Sequence, residues 1–320
     1  MKVLITGATG LVGREIVAQC LSKNIEVHYL TTSRAKLENA KEYQGFYWNP
    51  SKGEIDTNCF LGVTAIINLA GSSIATRWTS RNKKQILDSR INSLATLRKG
   101  LQTVDSSSVN SFISASAIGV YPNSLSNYYL EDEKEIDSSF LGEIVHAWEQ
   151  ETDAFNIFDF PVAKIRIGLV LSQKGGALPK LMKPIENYFG AAFGTGLQWQ
   201  SWIHVKDLAR MFLFVSENKL AGIFNGVGPN PVSNSKLVGE IAKALQRPLF
   251  LPNIPEIVMR LILGRMSYLL FVSQRVSSKK IEEEGFVFFF PNVCLAVERI
   301  CESASMDSTN TTKHTKEFLS

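Results

Sequence analysis

Met1-Lys-Val-Leu-Ile-Thr-Gly-Ala-Thr-Gly-Leu-Val-Gly13 opens the chain. An apolar, β-prone run from Lys2 to Thr6 passes directly into three glycines spaced three apart, Gly7, Gly10 and Gly13. The first permits a tight turn, the second lets the backbone approach a pyrophosphate, and the third lets the following helix pack closely on the sheet. Phosphates held there face a helix N-terminus, where free N–H groups and the helix dipole favour negative charge. The stretch therefore reads as the first βα unit of a dinucleotide-binding α/β fold.

Outward from this turn, a helix is expected from about Leu11 to Lys23 and a strand over Glu26 to Leu30, a right-handed βαβ unit. Apolar runs at Ala65 to Leu69, Ser111 to Ser114 and Ala163 to Val170 read as buried parallel strands. Together they predict a doubly wound parallel Rossmann sheet. The Gly- and Pro-rich stretch Gly175 to Trp202 breaks the alternation. A helix is expected after it with Asp207 as N-cap, then a strand over Gly222 to Val227. Beyond Asn230, Ser233-Asn234-Ser235 opens a helix and Phe286 to Phe290 reads as a strand of a smaller C-terminal substrate lobe. The expected division assigns 1–172 and 204–228 to the dinucleotide-binding domain, and 173–203 and 229–302 to the substrate lobe. The polar 303–320 is expected to be a disordered tail.

With 320 residues, 45% of them hydrophobic, the chain can bury a substantial core. A net charge of +4 without a basic block gives no indication of a nucleic-acid partner. Cys20, Cys59, Cys294 and Cys301 are far apart and lack metal-ligand spacing, so they read as reduced, mostly buried thiols with no metal site. The N-terminus lacks a signal-peptide pattern, which points to the cytoplasm. In Ile254 to Val272 the charges Glu256, Arg260 and Arg265 recur at helical spacing, so this segment is expected to be an amphipathic helix packed on the protein, not a membrane span. A small-molecule substrate and a monomer or homodimer are the expected partners.

Seven ordered stretches carry a resemblance: Thr6 to Gly13, Asn68 to Gly71, Ser89 to Asn92 with Thr96, Ser114 to Tyr121, Trp148-Glu149, Arg166 to Leu171 and Trp202 to Asp207. The chain resembles the extended short-chain dehydrogenase/reductase superfamily over about residues 1 to 302, and within it the epimerase-like branch with its own C-terminal domain. The resemblance implies that Gly7, Thr9, Gly10, Leu11 and Val12 wrap the pyrophosphate and that Leu69, Ala70 and Gly71 line the adenosine side. It adds Ser114 and Gly168 to the cofactor's contacts. At the end of the second strand, Thr32, Ser33 and Arg34 precede any carboxylate, since Glu38 is the first. Hydroxyls and a basic group suit the 2′-phosphate of NADP, where a carboxylate would suit NAD.

The superfamily's Tyr-x-x-x-Lys pair is missing. Counting from Trp148-Glu149 places Leu141 and Val145 where tyrosine and lysine would stand. The catalytic candidates are then Ser116, matching the superfamily's substrate-orienting serine, and Tyr121 as a substitute acid. Arg77, Trp78, Arg90, Asn92, Trp202 and His204 are the substrate candidates, His204 also having a structural reading at the junction of the two lobes. The expectation is an NADP(H)-dependent oxidoreductase acting on a small polar or nucleotide-linked substrate. A nucleotide-sugar epimerase and a non-enzymatic NADP(H) sensor stand as alternatives.

Overall fold

The computed structural model describes residues 1–302. Its central strands are β1 (Lys2–Thr6), β2 (Glu26–Thr31), β3 (Tyr43–Asn49), β4 (Ala65–Asn68), β5 (Ser111–Ala117), β6 (Val162–Ile167) and β9 (Gly222–Gly226). Two three-residue strands, β7 (Leu169–Leu171) and β8 (Trp202–His204), form a separate parallel pair. The central strands lie in the order β9-β6-β5-β4-β1-β2-β3, all parallel. Two-residue strands at Asn39–Ala40 and Glu54–Ile55 pair antiparallel with β3. The order reverses between β1 and β4, the position at which an open α/β sheet leaves a crevice beyond its strand ends.

Helices α1 (Leu11–Ser22), α2 (Ser80–Leu101), α3 (Phe140–Asp153) and α5 (Val205–Glu217) cover the sheet. Their buried sides meet strands such as β1 and β4, whose Val3, Leu4, Ile5, Ile66 and Ile67 are fully buried. Thr79 caps α2 by accepting the Asn82 N–H through its hydroxyl, and Ser139 caps α3 in the same way at Leu141. A smaller C-terminal region contains α4 (Leu178–Glu186), α6 (Asn234–Ala244), α7 (Glu256–Leu263), α8 (Tyr268–Phe271), α9 (Lys279–Glu283) and a helix over 293–302. It has its own core, in which Trp202 meets Leu178, Met182, Leu237, Ile241 and Val297.

Four expectations are corrected. The run Ala163 to Val170 is two strands, because at Gly168 the chain leaves the β5–β9 ladder and Leu169 N–H donates to the Ser201 carbonyl. A Cβ at Gly168 would run into that same carbonyl oxygen, so the crossing point requires glycine. Phe286 to Phe290 is not a strand: the N–H groups of Phe289 and Phe290 donate to the Asp207 carboxylate at 3.0 and 2.8 Å, which replaces a ladder partner. Asp207 lies in the first turn of α5, and the N-cap is His204, whose ring accepts the Lys206 N–H. Ile254 to Val272 divides into α7, a 3-10 turn over Gly264–Ser267 and α8, and no helix among the described residues is long and apolar enough to cross a membrane. β3 escapes the sequence reading because it lacks an aliphatic run, Gln44 and Gly45 interrupting its aromatic residues, and only Phe46 and Trp48 are buried on this outer strand. Cys20 and Cys59 are buried, Cys294 and Cys301 half-buried, all four as free thiols. The expected tail lies outside the described residues.

Candidate active site

At the β1–α1 turn Gly7 has φ +69°, and a Cβ at Gly13 would strike the Gly7 carbonyl and the Ala8 backbone. Those two glycines set how tightly the helix start folds over the strand end. Gly10 is the N-cap of α1 and has no side-chain cap, and the first turn holds no acidic residue. The leading N–H groups of Leu11 and Val12 are thereby left without a side-chain competitor, as an anion-binding helix start requires. The turn after β4 is fixed from β1: the Thr6 hydroxyl donates to Asn68 Oδ1 at 2.7 Å and accepts the N–H groups of Leu69 and Ala70, each at 3.0 Å. Asn68 Nδ2 in turn donates to Ser114 Oγ at 3.1 Å.

Between these turns opens a cleft of about 870 Å³. Of the expected cofactor contacts, Gly7, Thr9, Thr32, Ser33, Ala70 and Gly71 line it, as does Asn92. Ser114 lies beneath the wall, fully buried and bonded to Asn68, and Gly168 sits at the strand break described above. Arg34 is turned away, its guanidinium 4.1 Å from the centroid of the Tyr47 ring. In its place Lys36 lines the cleft, and Arg81 and Lys84 at the start of α2 are also in the wall. The sequence signal for Lys36 was there, two residues beyond Arg34. Arg81 and Lys84 come from a distant element and only folding brings them in.

A second polar network fills the space between β5, β6, β9 and α3. Ser116 Oγ donates to Glu149 Oε1 at 2.6 Å, and Arg166 grips the same carboxylate through Nε at 2.8 Å and Nη2 at 2.9 Å. Arg166 Nη1 donates to the Tyr121 hydroxyl at 3.0 Å, which donates to Asn225 Oδ1 at 2.8 Å. Burial pushes the Glu149 carboxyl up, but hydrogen bonding and charge from Arg166, with help from Ser116, hold it below the ordinary carboxylate range. Burial pushes the Tyr121 phenol up to about 12 against the pull of Arg166. With no solvent exposure and its proton committed to Asn225, Tyr121 is held as a structural donor, and the geometry gives it no path to act as an acid. Leu141 and Val145, at the positions of the missing tyrosine and lysine, pack in separate apolar clusters.

The substrate candidates separate. Trp202 is fully buried in the second core and its Nε1 donates to the Asn230 carbonyl at 2.9 Å, so it does not face the cleft. His204 is 5% exposed, stacks 3.9 Å from Phe290 and accepts the Lys206 N–H through Nδ1. Trp78 packs edge-on against Phe140 and donates to the Ile74 carbonyl, and Arg77 donates to the Ile262 carbonyl, joining the loop before α2 to α7. Arg90 is packed against Gly71 and Ser72.

Burial, with the charge of Lys206, pushes the His204 imidazole down to about 4. A base with a depressed folded pKa stabilises the fold above its unfolded value and ceases to do so as pH falls toward the folded value. His204 is therefore expected to stay neutral from pH 8 to 5, with stability falling only below its unfolded pKa of about 6.5. Its ring resonances, followed by NMR and assigned with His204→Asn, should not shift between pH 8 and 5; a midpoint near 6.5 would show the ring to be solvated.

The model of the NAD dependent epimerase/dehydratase family matches residues 3–226, most of the Rossmann part. The chain belongs to the NAD dependent epimerase/dehydratase family. Residues 254–300 match a domain of unknown function, DUF1731. Epimerase family protein YfhF of Bacillus subtilis is 33% identical over 301 residues, covering 94% of this chain and 98% of that protein. Epimerase family protein SAR0825 of Staphylococcus aureus is 34% identical over 296 residues, with 92% and 97% covered. The crystal structure of human epimerase family protein SDR39U1 (isoform 2), determined with NADPH, superimposes with a TM-score of 0.81 at 25% identity over 94% of this chain and 99% of that one. Membership of the epimerase/dehydratase family accounts for the switch-point cleft and the glycine turn, and the loss of a tyrosine–lysine pair leaves the chemistry open.

Proposed function

We propose that this protein is an NADP(H)-dependent oxidoreductase acting on a small polar or nucleotide-linked substrate. The carrying observation is the cleft at the sheet's switch point, where uncapped α1 meets a wall of Thr32, Ser33 and Lys36, while the carboxylate in its lining, Asp88, is on α2 and paired with Lys84. The similar human protein was crystallised with NADPH, in agreement with this charge pattern. When bound, NADPH supplies a hydride. The chain's own part is to hold the phosphates at α1, to keep the β4 turn rigid through Thr6, and to set Ser116 at the end of β5. Ser116 is 2% exposed and outside the cleft's lining; with its proton committed to Glu149, its oxygen can only accept a further hydrogen bond, the contact it would offer a substrate hydroxyl that reaches it. The domain division is proposed as 1–172 with 204–228 for the dinucleotide-binding part, whose residues alone line this cleft, and 173–203 with 229–302 for the substrate lobe; the compartment is proposed as the cytoplasm.

The test is calorimetric titration with NADPH and NADH, followed by a panel of carbonyl and alcohol substrates read at the nicotinamide absorbance. NADPH should bind at least about tenfold more tightly than NADH, the worth of one charge-assisted contact. Lys36→Glu should abolish that preference while leaving NADH binding within about twofold, since the 2′-phosphate alone distinguishes the two. Equal affinity of the two nucleotides for wild type would refute the cofactor assignment. A cofactor bound tightly but never oxidised or reduced would favour the sensor reading, which the apolar Leu141 and Val145 support.

A further inference from the structure

Arg90 is a half-buried charge without a counter-ion, its Nε fully shielded from solvent. It stands on α2 between Ser89 and Asn92, which line the cleft, and its guanidinium packs on Gly71. Among the described residues no carboxylate pairs with it, and its hydrogen bonds to the protein run through Nη1 to the carbonyls of Ser72, at 3.2 Å, and Ile86, at 2.9 Å. Its Nε is buried with no acceptor. The guanidinium carbon lies 4.8 Å from the centroid of the Trp148 ring, and Trp148 Nε1 is likewise buried with no acceptor. Burial alone pulls the guanidinium down to about 10, so it remains charged at neutral pH. Orphaned buried donors are rare and costly, and a charged one more so. Both belong to one stacked pair at the Gly71–Ser72 edge of the cleft, and an acceptor carrying negative charge is what the guanidinium lacks. Arg166, a fully buried arginine nearby, shows the contrast, since Glu149 satisfies it on two atoms.

We propose that Arg90 and Trp148 are the anchor for an oxyanion of the substrate, a carboxylate or a phosphate, bound beside the cofactor cleft at the Gly71–Ser72 segment. The guanidinium supplies charge and a planar donor edge, and the indole supplies a second donor from the ring on which that plane rests. As the oxyanion enters, it replaces the Ser72 carbonyl as a partner of Arg90, and the loop after β4 shifts to admit it. The substrate class is thereby narrowed to molecules carrying an anionic group near the reacting carbon. The proposal rests on the functional reading above for the word substrate, but the site itself does not.

The test is direct. The chain has five tryptophans, so the indole N–H region of a proton–nitrogen NMR spectrum holds five signals, and Trp148→Phe identifies one of them. Inorganic phosphate and malonate are titrated at constant ionic strength, with and without saturating NADPH. A saturable shift of the Trp148 signal, retained in the presence of NADPH, is expected. Arg90→Gln should weaken the anion's apparent affinity by about tenfold or more, as removal of a charge-assisted donor does. Should that variant fail to fold, Arg90→Lys keeps the charge and loses the planar fork, and severalfold weakening is expected. An unshifted Trp148 signal, or an affinity unchanged in either folded variant, overturns the proposal. Competition between phosphate and NADPH would assign the site to the cofactor's own phosphates and also overturn it. Absence of NADPH binding would defeat the functional reading while the titration without cofactor still decides the anion site.

Discussion

Arg166→Met is expected to cost about 3–5 kcal/mol at pH 7, the loss associated with removing one partner of a buried ion pair. Arg166 is 5% exposed and makes two bonds to Glu149, one to Tyr121 and a long one to the Glu131 carbonyl, so its removal leaves a buried carboxylate holding only the Ser116 hydroxyl. The pH dependence carries the diagnosis. In the wild type the folded Glu149 pKa is depressed, so its contribution is present above the unfolded pKa and is lost as pH falls through the folded value. In the variant, burial without the guanidinium raises the folded pKa above the unfolded one. The deficit should then shrink as pH is lowered from 7 toward 5, where the wild type gains nothing. Adding Glu149→Leu to Arg166→Met should restore a large part of the loss, because an apolar pair carries no stranded charge. Chemical denaturation at pH 7 and 5 measures all four proteins. Additive single-variant losses, or a deficit independent of pH, would show that the pair is not the source.

Gly13→Ala should be similarly severe, for a steric reason. The added methyl meets backbone, the Gly7 carbonyl and the Ala8 main chain, neither of which can rotate away. Overpacking of this kind costs about 3 kcal/mol, or about 6–12 °C in Tm for a domain of this size. The turn must open to relieve the clash, which removes the phosphate cradle as well. At NADPH one hundred times the wild-type Kd, cofactor should stabilise wild type by about 2.7 kcal/mol and the variant by nothing measurable. Gly239→Ala in α6 is the matched control: its added methyl meets no atom within 4 Å, and a helical glycine-to-alanine change should be neutral or stabilise by up to about 1 kcal/mol. A Gly13→Ala protein that retained wild-type Tm and NADPH binding would disprove the close packing of α1 on β1.

The N-terminal glycine turn, the parallel strand succession around it and the helix over Leu11–Ser22 were legible in the chain itself, since each is a local matter of β-prone runs, glycine spacing and helical periodicity. Part of the cleft wall was legible for the same reason: Gly7, Thr9, Thr32 and Ser33 follow directly from strand ends. What the chain could not disclose were properties of pairs far apart in sequence. Asp207 looks like a helix cap until Phe289 and Phe290 arrive to take its oxygens. Trp202 and His204 look like site residues until a second core closes over them. Tyr121 looks like a spare acid until Arg166 and Asn225 occupy its hydroxyl. The sequence by itself determined the Rossmann architecture and where a nucleotide would sit, because strand ends and glycine turns are encoded locally. Only the tertiary structure decided which polar side chains have partners and which, like Arg90 and Trp148, do not, because hydrogen-bond satisfaction is settled across elements 18 to 104 residues apart.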